Sequence, residues 1–199
     1  MKEIVSDERG VIAAAGTGKA RIERAALTLF SETSIDGVST KSIATLAGVS
    51  EGLLYRHFKS KDDLARQMML TIHNDLTYLI HSAYDLYLEE AVAHIVENYC
   101  ALADEDWALF RYHILHLHRF PGLSNTPTQN PLGAATQLIA KAQNEGTIAS
   151  KERPEVLAAM ALGVVLSAAQ AKVLGGISGP LSDHKDQFIK TVMAVLNVA

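Results

Sequence analysis

The chain has 199 residues, 48% of them hydrophobic and 20% charged, which implies a folded globular protein with a sizeable core and excludes a disordered one. Its single cysteine, Cys100, excludes an intramolecular disulfide and a multi-cysteine zinc site. The net charge of −4 is unevenly spread: residues 17–66 carry eight basic and six acidic groups, whereas residues 67–199 carry eight and thirteen.

Ala and Leu dominate and no long alternating Val/Ile/Thr run appears, so the expected fold class is all-α. Residues 1–16 end in VIAAAG, an apolar run too short for a signal segment or a membrane span. The expectation is a mobile arm on a cytoplasmic protein. Gly16-Thr-Gly-Lys19 faintly suggests a phosphate loop. Ala13 and Ala20 stand where that pattern needs glycine and a hydroxyl, and no strand precedes them, so the phosphate-loop reading fails.

From Lys19 to Thr33, Ile22, Ala25, Ala26, Leu29 and Phe30 form a stripe at helical spacing. Ser34-Ile-Asp-Gly37 breaks that helix. Between Ser39 and Phe58 the pattern predicts a helix-turn-helix. Ser39 or Thr40 can cap a short first helix, and Ile43, Ala44 and Ala47 share one of its faces. Gly48 can take the left-handed conformation that ends it, Val49 plugs the corner, and Ser50 caps the second helix. Small residues at 44, 47 and 48 let the two helices cross closely. In such a motif the second helix enters the DNA major groove and its N-terminal residues meet base edges. The helix before it covers both, and Phe58 plugs the same small core. The local basic excess lies where phosphates would be.

Ser60-Lys-Asp-Asp63 fits a capping box, with Asp63 in place of the usual Glu. A long helix then runs from Lys61 towards Ala83, a mechanical link into the remainder. Helical stripes follow over Glu89–Ala103 and Trp107–His118, separated by Asp104-Glu-Asp106. Arg119–Asn130, with Pro121, Gly122 and Pro127, reads as a loop. Pro131 opens a helix to about Glu145, with Gly146 as its stop. Pro154–Leu174 is apolar almost all round, and Ser182–Asn197 is the last helix. A helix of that kind is either central in a core or half-buried in a subunit contact. The second reading is preferred here, with Ile189, Val192, Met193 and Leu196 contributing to a two-fold interface.

The span from Arg21 to Arg66 resembles the DNA-binding domain of the TetR/AcrR family of transcriptional regulators. The matching residues are Ala25-Ala26, Leu29-Phe30, Ser39, Ile43-Ala44, Ala47-Gly-Val-Ser50, Gly52, Leu54-Tyr55, His57-Phe58, Ser60-Lys61 and Leu64. Ser34, Ile35 and Leu53 depart from the family pattern, and Leu53 bears on which bases are read. The resemblance implies three headpiece helices and about six more for ligand binding and dimerisation. It divides the chain into an arm (1–16), a helix-turn-helix domain (17–60) and a helical body (61–199). It further implies a repressor at palindromic operators, a homodimer through about 154–174 and 182–197, and release by a small-molecule effector. No cofactor, membrane or enzymatic role is implied.

Tyr55 and Lys61 match family phosphate-contacting positions; Tyr55 reads otherwise as a half-buried core ring. Thr40 and Lys41 add a hydroxyl and a charge at the start of the first motif helix. Ser50, Glu51, Gly52 and Leu53 occupy the first turn of the recognition helix. There Leu53 suits a thymine methyl, and Glu51 suits either cytosine N4 or the helix dipole. His57 and Lys59 are candidate backbone contacts. For the effector pocket the candidates are Tyr78, His81, Trp107, Phe110, His113, Gln137 and Met160, which mix aromatic walls with polar handles. The competing function is a helical-bundle metal-dependent enzyme built on His113, His116 and His118, although His118 falls away from the face the other two share. A third reading is an interaction module whose headpiece no longer binds DNA.

Overall fold

The computed structural model describes residues 16–120, 122–123 and 130–196, and every regular element among them is helical. The arm expected over 1–16 lies almost wholly outside them, as does most of the loop expected over 119–130. Nine α-helices are described: α1 (Gly18–Glu32), α2 (Thr40–Ala47), α3 (Glu51–His57), α4 (Lys61–Ser82), α5 (Leu88–Glu105), α6 (Trp107–His116), α7 (Pro131–Asn144), α8 (Pro154–Val173) and α9 (Lys185–Leu196). A short 3-10 turn, Leu181–His184, takes the place of the first turn expected for the last helix. Contacts divide the chain into two compact units after Asp75, inside the continuous α4 rather than at its start.

In the first unit α1 packs on α2 and α3, and α2 on α3. Ile22, Ala25, Ala26 and Phe30 of the expected stripe are buried, but Leu29 is only half-buried and Leu27 is fully buried in its stead. The reason is that α1 meets two helices rather than one, so its apolar face is wider than a single stripe. Ile43, Ala44, Ala47, Leu54 and Phe58 complete this core, together with Ile35 and Val38 of the α1–α2 connection.

The caps follow the sequence closely. Thr17, Ser39 and Ser50 each accept a hydrogen bond from the backbone three residues on. Gly48 ends α2 at φ 64°, and the Val49 N–H returns 3.0 Å to the Ala44 carbonyl. At the head of α4, Ser60 Oγ accepts from Asp63 N at 3.0 Å. Asp63 Oδ2 accepts from the Lys59 N–H at 2.8 Å, one residue before the cap, and from Gln67 Nε2 at 3.0 Å.

The Lys59 N–H, then Gln67, holds the Asp63 carboxyl below its ordinary range. A folded-state value below the unfolded one stabilises the fold above the unfolded value of about 3.9, and this is lost as pH falls through the folded value. Asp63→Asn is therefore expected to lower stability by about 0.5 kcal/mol near neutrality, the low end for an exposed cap. The gap to wild type should close in urea melts as pH falls below the ordinary carboxylate range. A gap that widens in acid would contradict this assignment.

In the second unit α7 packs on α8, α8 on α9 and α6, and α5 on α9 and α6. Asp106 caps α6, and both Asp104 oxygens accept backbone N–H groups of Leu181 and Ser182, which fixes the 3-10 turn. Cys100 is buried, and burial pushes its thiol up to about 11, as befits an inert side chain.

Only Leu157, Ala158, Val165 and Ala169 of α8 are buried, while Val156, Ala159, Met160 and Leu174 just past its end stand exposed. By length and composition α8 is apolar enough to cross a membrane (mean hydropathy 1.8), yet 28% of that window is buried. On α9 one expectation is corrected. Val192 and Leu196 are buried inside the single chain, so they are not free to meet a second copy; Ile189 and Met193 are half-buried. A one-sided helix turns one set of apolar residues inward, and periodicity alone does not say which contact that set makes.

Candidate functional site

Leu54 and Phe58 anchor α3 to the headpiece core, which leaves the opposite side of the helix in solvent. Gly52, Tyr55 and Arg56 share that side at i, i+3 and i+4, and all three are exposed, Tyr55 at 54%. His57 and Lys59 at the end of α3, and Lys41 at the start of α2, are exposed too. Arg56 is the residue the sequence reading passed over. Its signal was the four-residue spacing from Gly52 on the expected recognition helix.

Gly52 has no positive φ, and a Cβ built there would meet nothing closer than Ser50 Oγ at 3.8 Å. The fold itself does not require glycine at this position. The missing side chain instead opens the first turn of α3 to close approach by another molecule.

Hydrogen bonds tie the first turns of α2 and α3 together. Thr40 Oγ1 donates to Glu51 Oε2 at 3.1 Å and lies 3.4 Å from the Tyr55 hydroxyl. Glu51 is thus engaged with α2 while it also occupies the acidic first-turn position of α3. Ser50 is exposed, and its side chain is engaged as the cap. Leu53 is half-buried: its Cδ2 lies 2.8 Å from where a Cβ on Gly18 would sit, so it packs over the first residue of α1. Lys61 Nζ donates to the Asp36 and Val38 carbonyls at 3.1 and 2.7 Å, clamping the α1–α2 connection to the head of α4. Arg21 adds a 3.5 Å bond to the Gly48 carbonyl at the turn. The result is a braced pair of short helices offering hydroxyls, cations and a bare backbone turn, the donor set that suits phosphate oxygens and base edges.

The seven pocket candidates differ widely in exposure. Tyr78, His81, Trp107 and Met160 are exposed, Gln137 is half-buried, and Phe110 and His113 are buried. Trp107 and Phe110 do meet, with ring centroids 5.9 Å apart, and Phe110 meets Tyr99 at 5.7 Å. Two cavities in the second unit have other walls. One, of about 430 Å³, lies among the α4–α5 connection, α5 and α7, and Asp85, Tyr87, Glu89, Lys141 and Glu145 are among the residues lining it. The second, of about 60 Å³, is walled by side chains such as Ile80, Val92, Ile139, Leu162, Val165 and Val192. Leu88 and Leu138 belong to both. Sequence reasoning looked for aromatic and polar handles, whereas the smaller cavity is pure hydrocarbon. Among the described residues no three His, Cys, Asp or Glu side chains are grouped as metal ligands, and the three histidines of the α6 region differ in burial, from His113 inside to His118 outside.

Residues 22–68 match the family model described as bacterial regulatory proteins, tetR family. The HTH-type transcriptional repressor Rv3405c of Mycobacterium tuberculosis is 37% identical over 79 residues, 40% of this chain and 38% of that protein. The chain thus matches under two fifths of that curated relative's length. Two solved structures share the fold along most of the chain. FadR from Bacillus subtilis in complex with stearoyl-CoA has a TM-score of 0.75 at 17% identity, covering 88% of this chain and 97% of its own. SmeT, the repressor of the Stenotrophomonas maltophilia multidrug efflux pump SmeDEF, has 0.72 at 18%, covering 90% of both.

Proposed function

Residues 22–68 make this chain a member of the tetR family of bacterial regulatory proteins, and from that premise we propose a dimeric transcriptional repressor released by a small molecule. The observation that carries the DNA-binding half is the outward face of α3, where Gly52, Tyr55 and Arg56 stand exposed on a helix fixed by Leu54 and Phe58. Tyr55, Arg56, Lys41, His57 and Lys59 meet phosphates, with Thr40 and the remaining donor capacity of Lys61 beside them. Ser50, Glu51, Gly52 and the open part of Leu53 lie nearest the bases. Glu51 holds the Thr40 hydroxyl and reads a base only if that bond opens.

The dimer forms through the apolar face of α8 that a single chain leaves exposed, with the half-buried Ile189 and Met193 of α9 at its margin. Two recognition helices then enter successive major grooves about 34 Å apart, on a palindrome in the cytoplasm. The second unit is the effector domain, a reading supported by analogy with the neighbour crystallised with stearoyl-CoA. An effector that prefers one setting of α4, the helix running through both units, lowers operator affinity by its differential affinity for the two settings.

The test is a gel shift with the upstream intergenic DNA at stated salt. A specific complex at physiological salt is expected, weakening with a slope of about 0.9 per phosphate neutralised on a log–log salt plot. Tyr55→Phe should weaken binding to all sequences alike. Absence of any specific complex without effector would end this reading.

Gly52→Ala separates fold from interface. It should raise the stability of the headpiece by up to about 1 kcal/mol, the helix propensity difference. Operator affinity should fall at the same time, because the added methyl occupies the approach path. Unchanged affinity would show that nothing comes close to this turn.

A further inference from the structure

The two cavities of the second unit differ in chemistry, and together they describe a ligand. The smaller one, about 60 Å³, has hydrocarbon walls throughout, from Ile80 on α4 to Val192 on α9. Walls without polar partners favour a hydrocarbon occupant over ordered water. At roughly 10–15 Å³ per water-sized group it admits about four to six such groups, which suits a run of methylenes and not a fused ring system.

The larger cavity, about 430 Å³, shares Leu88 and Leu138 with it and carries Asp85, Glu89 and Glu145 against a single lining cation, Lys141. That cation is already engaged outside the carboxylates. Lys141 Nζ lies 2.6 Å from the Tyr84 carbonyl and 4.7 Å from the centre of the Tyr84 ring. An anionic head group entering here would face three carboxylates, while a cationic one would meet the complementary charge.

We propose that the second unit binds a single-chain amphiphile with a cationic head, its alkyl tail between α5, α7, α8 and α9 and its ammonium among Asp85, Glu89 and Glu145. The assignment rests on the reading of this unit as the effector domain and gives that effector a chemical class. It separates this chain from the fold neighbour that carries stearoyl-CoA, whose head group bears phosphates.

The experiment is calorimetric titration of the full-length protein with decyltrimethylammonium, decanol, decanoate and decanoyl-CoA, each below its micelle-forming concentration. Decyltrimethylammonium should bind about tenfold more tightly than decanoate, the preference expected when two or three exposed ion pairs each contribute a few-fold. Glu89→Gln/Glu145→Gln, which alters only exposed carboxylates, should bring that ratio down to about two and leave decanol binding unchanged. Leu138→Trp, which fills the shared wall, should abolish binding of both decanol and decyltrimethylammonium. Decanoate or decanoyl-CoA binding as tightly as the ammonium, or no binding by any of the four, would overturn the proposal. The ligand-free gel shift keeps the two readings apart. Operator binding without any decyl-chain binding defeats the cavity assignment alone, and ammonium binding without operator binding defeats the repressor reading alone.

Discussion

Phe58→Ala is expected to abolish operator binding while leaving the second unit folded. The ring is 1% exposed and lies at the C-terminal cap of α3, where the Phe58 N–H bonds to the Leu54 carbonyl at 2.9 Å. The Lys19 ammonium sits 5.9 Å from its centre. Truncating a buried phenylalanine costs about 3–5 kcal/mol, the lost transfer energy plus the cavity left behind. A unit with some 60 described residues has only about 3–9 kcal/mol of stability over them, at ~0.05–0.15 kcal/mol per residue. Most of it would be lost. Hydrogen exchange on the full chain checks this directly: amides of α1–α3 should lose protection and those of α5–α9 should keep it. Protection lost evenly across both units would mean that they unfold as one.

The second large effect concerns the dimer. Met160 on α8 is 51% exposed in the single chain, so Met160→Asp should change the stability of the protomer by no more than about 0.5 kcal/mol. In the proposed two-fold contact the same carboxylate would be buried without a partner, at a cost of about 3 kcal/mol or more. The two-fold buries one such carboxylate from each protomer, so dimer affinity should fall about ten-thousandfold or more, read by sedimentation equilibrium. Palindrome binding should fall with it, while a half-site contact is spared. An unchanged dimer would move the interface away from this face of α8.

Arg56 and Lys61 show where reading the chain stops short. Both are basic residues close to a helix-turn-helix, and by type alone either suits a phosphate. The structure gives Lys61 two backbone carbonyls within the headpiece and leaves Arg56 in solvent beside Tyr55. Only the folded headpiece separates a side chain already engaged within it from one left exposed. The same holds for Leu53, a base reader by position, which the fold turns partly against Gly18.

What the sequence by itself determined is local. Ser39, Ser50 and Ser60 cap their helices, Gly48 turns the chain, Pro131 and Pro154 open helices, and Phe58 belongs to a core. Caps and turns depend on atoms three or four residues apart, so the order of residues is enough to specify them. Tertiary structure decided the matters that depend on which helix meets which. It buried Leu27 where α1 faces two partners, and turned Val192 and Leu196 inward against the expectation of an interface. It also set a hydrocarbon-walled cavity beside one with acidic residues, and none of the aromatic candidates is among the lining residues of either. A helical stripe states that a face is apolar; its partner is fixed only when the other helices are in place.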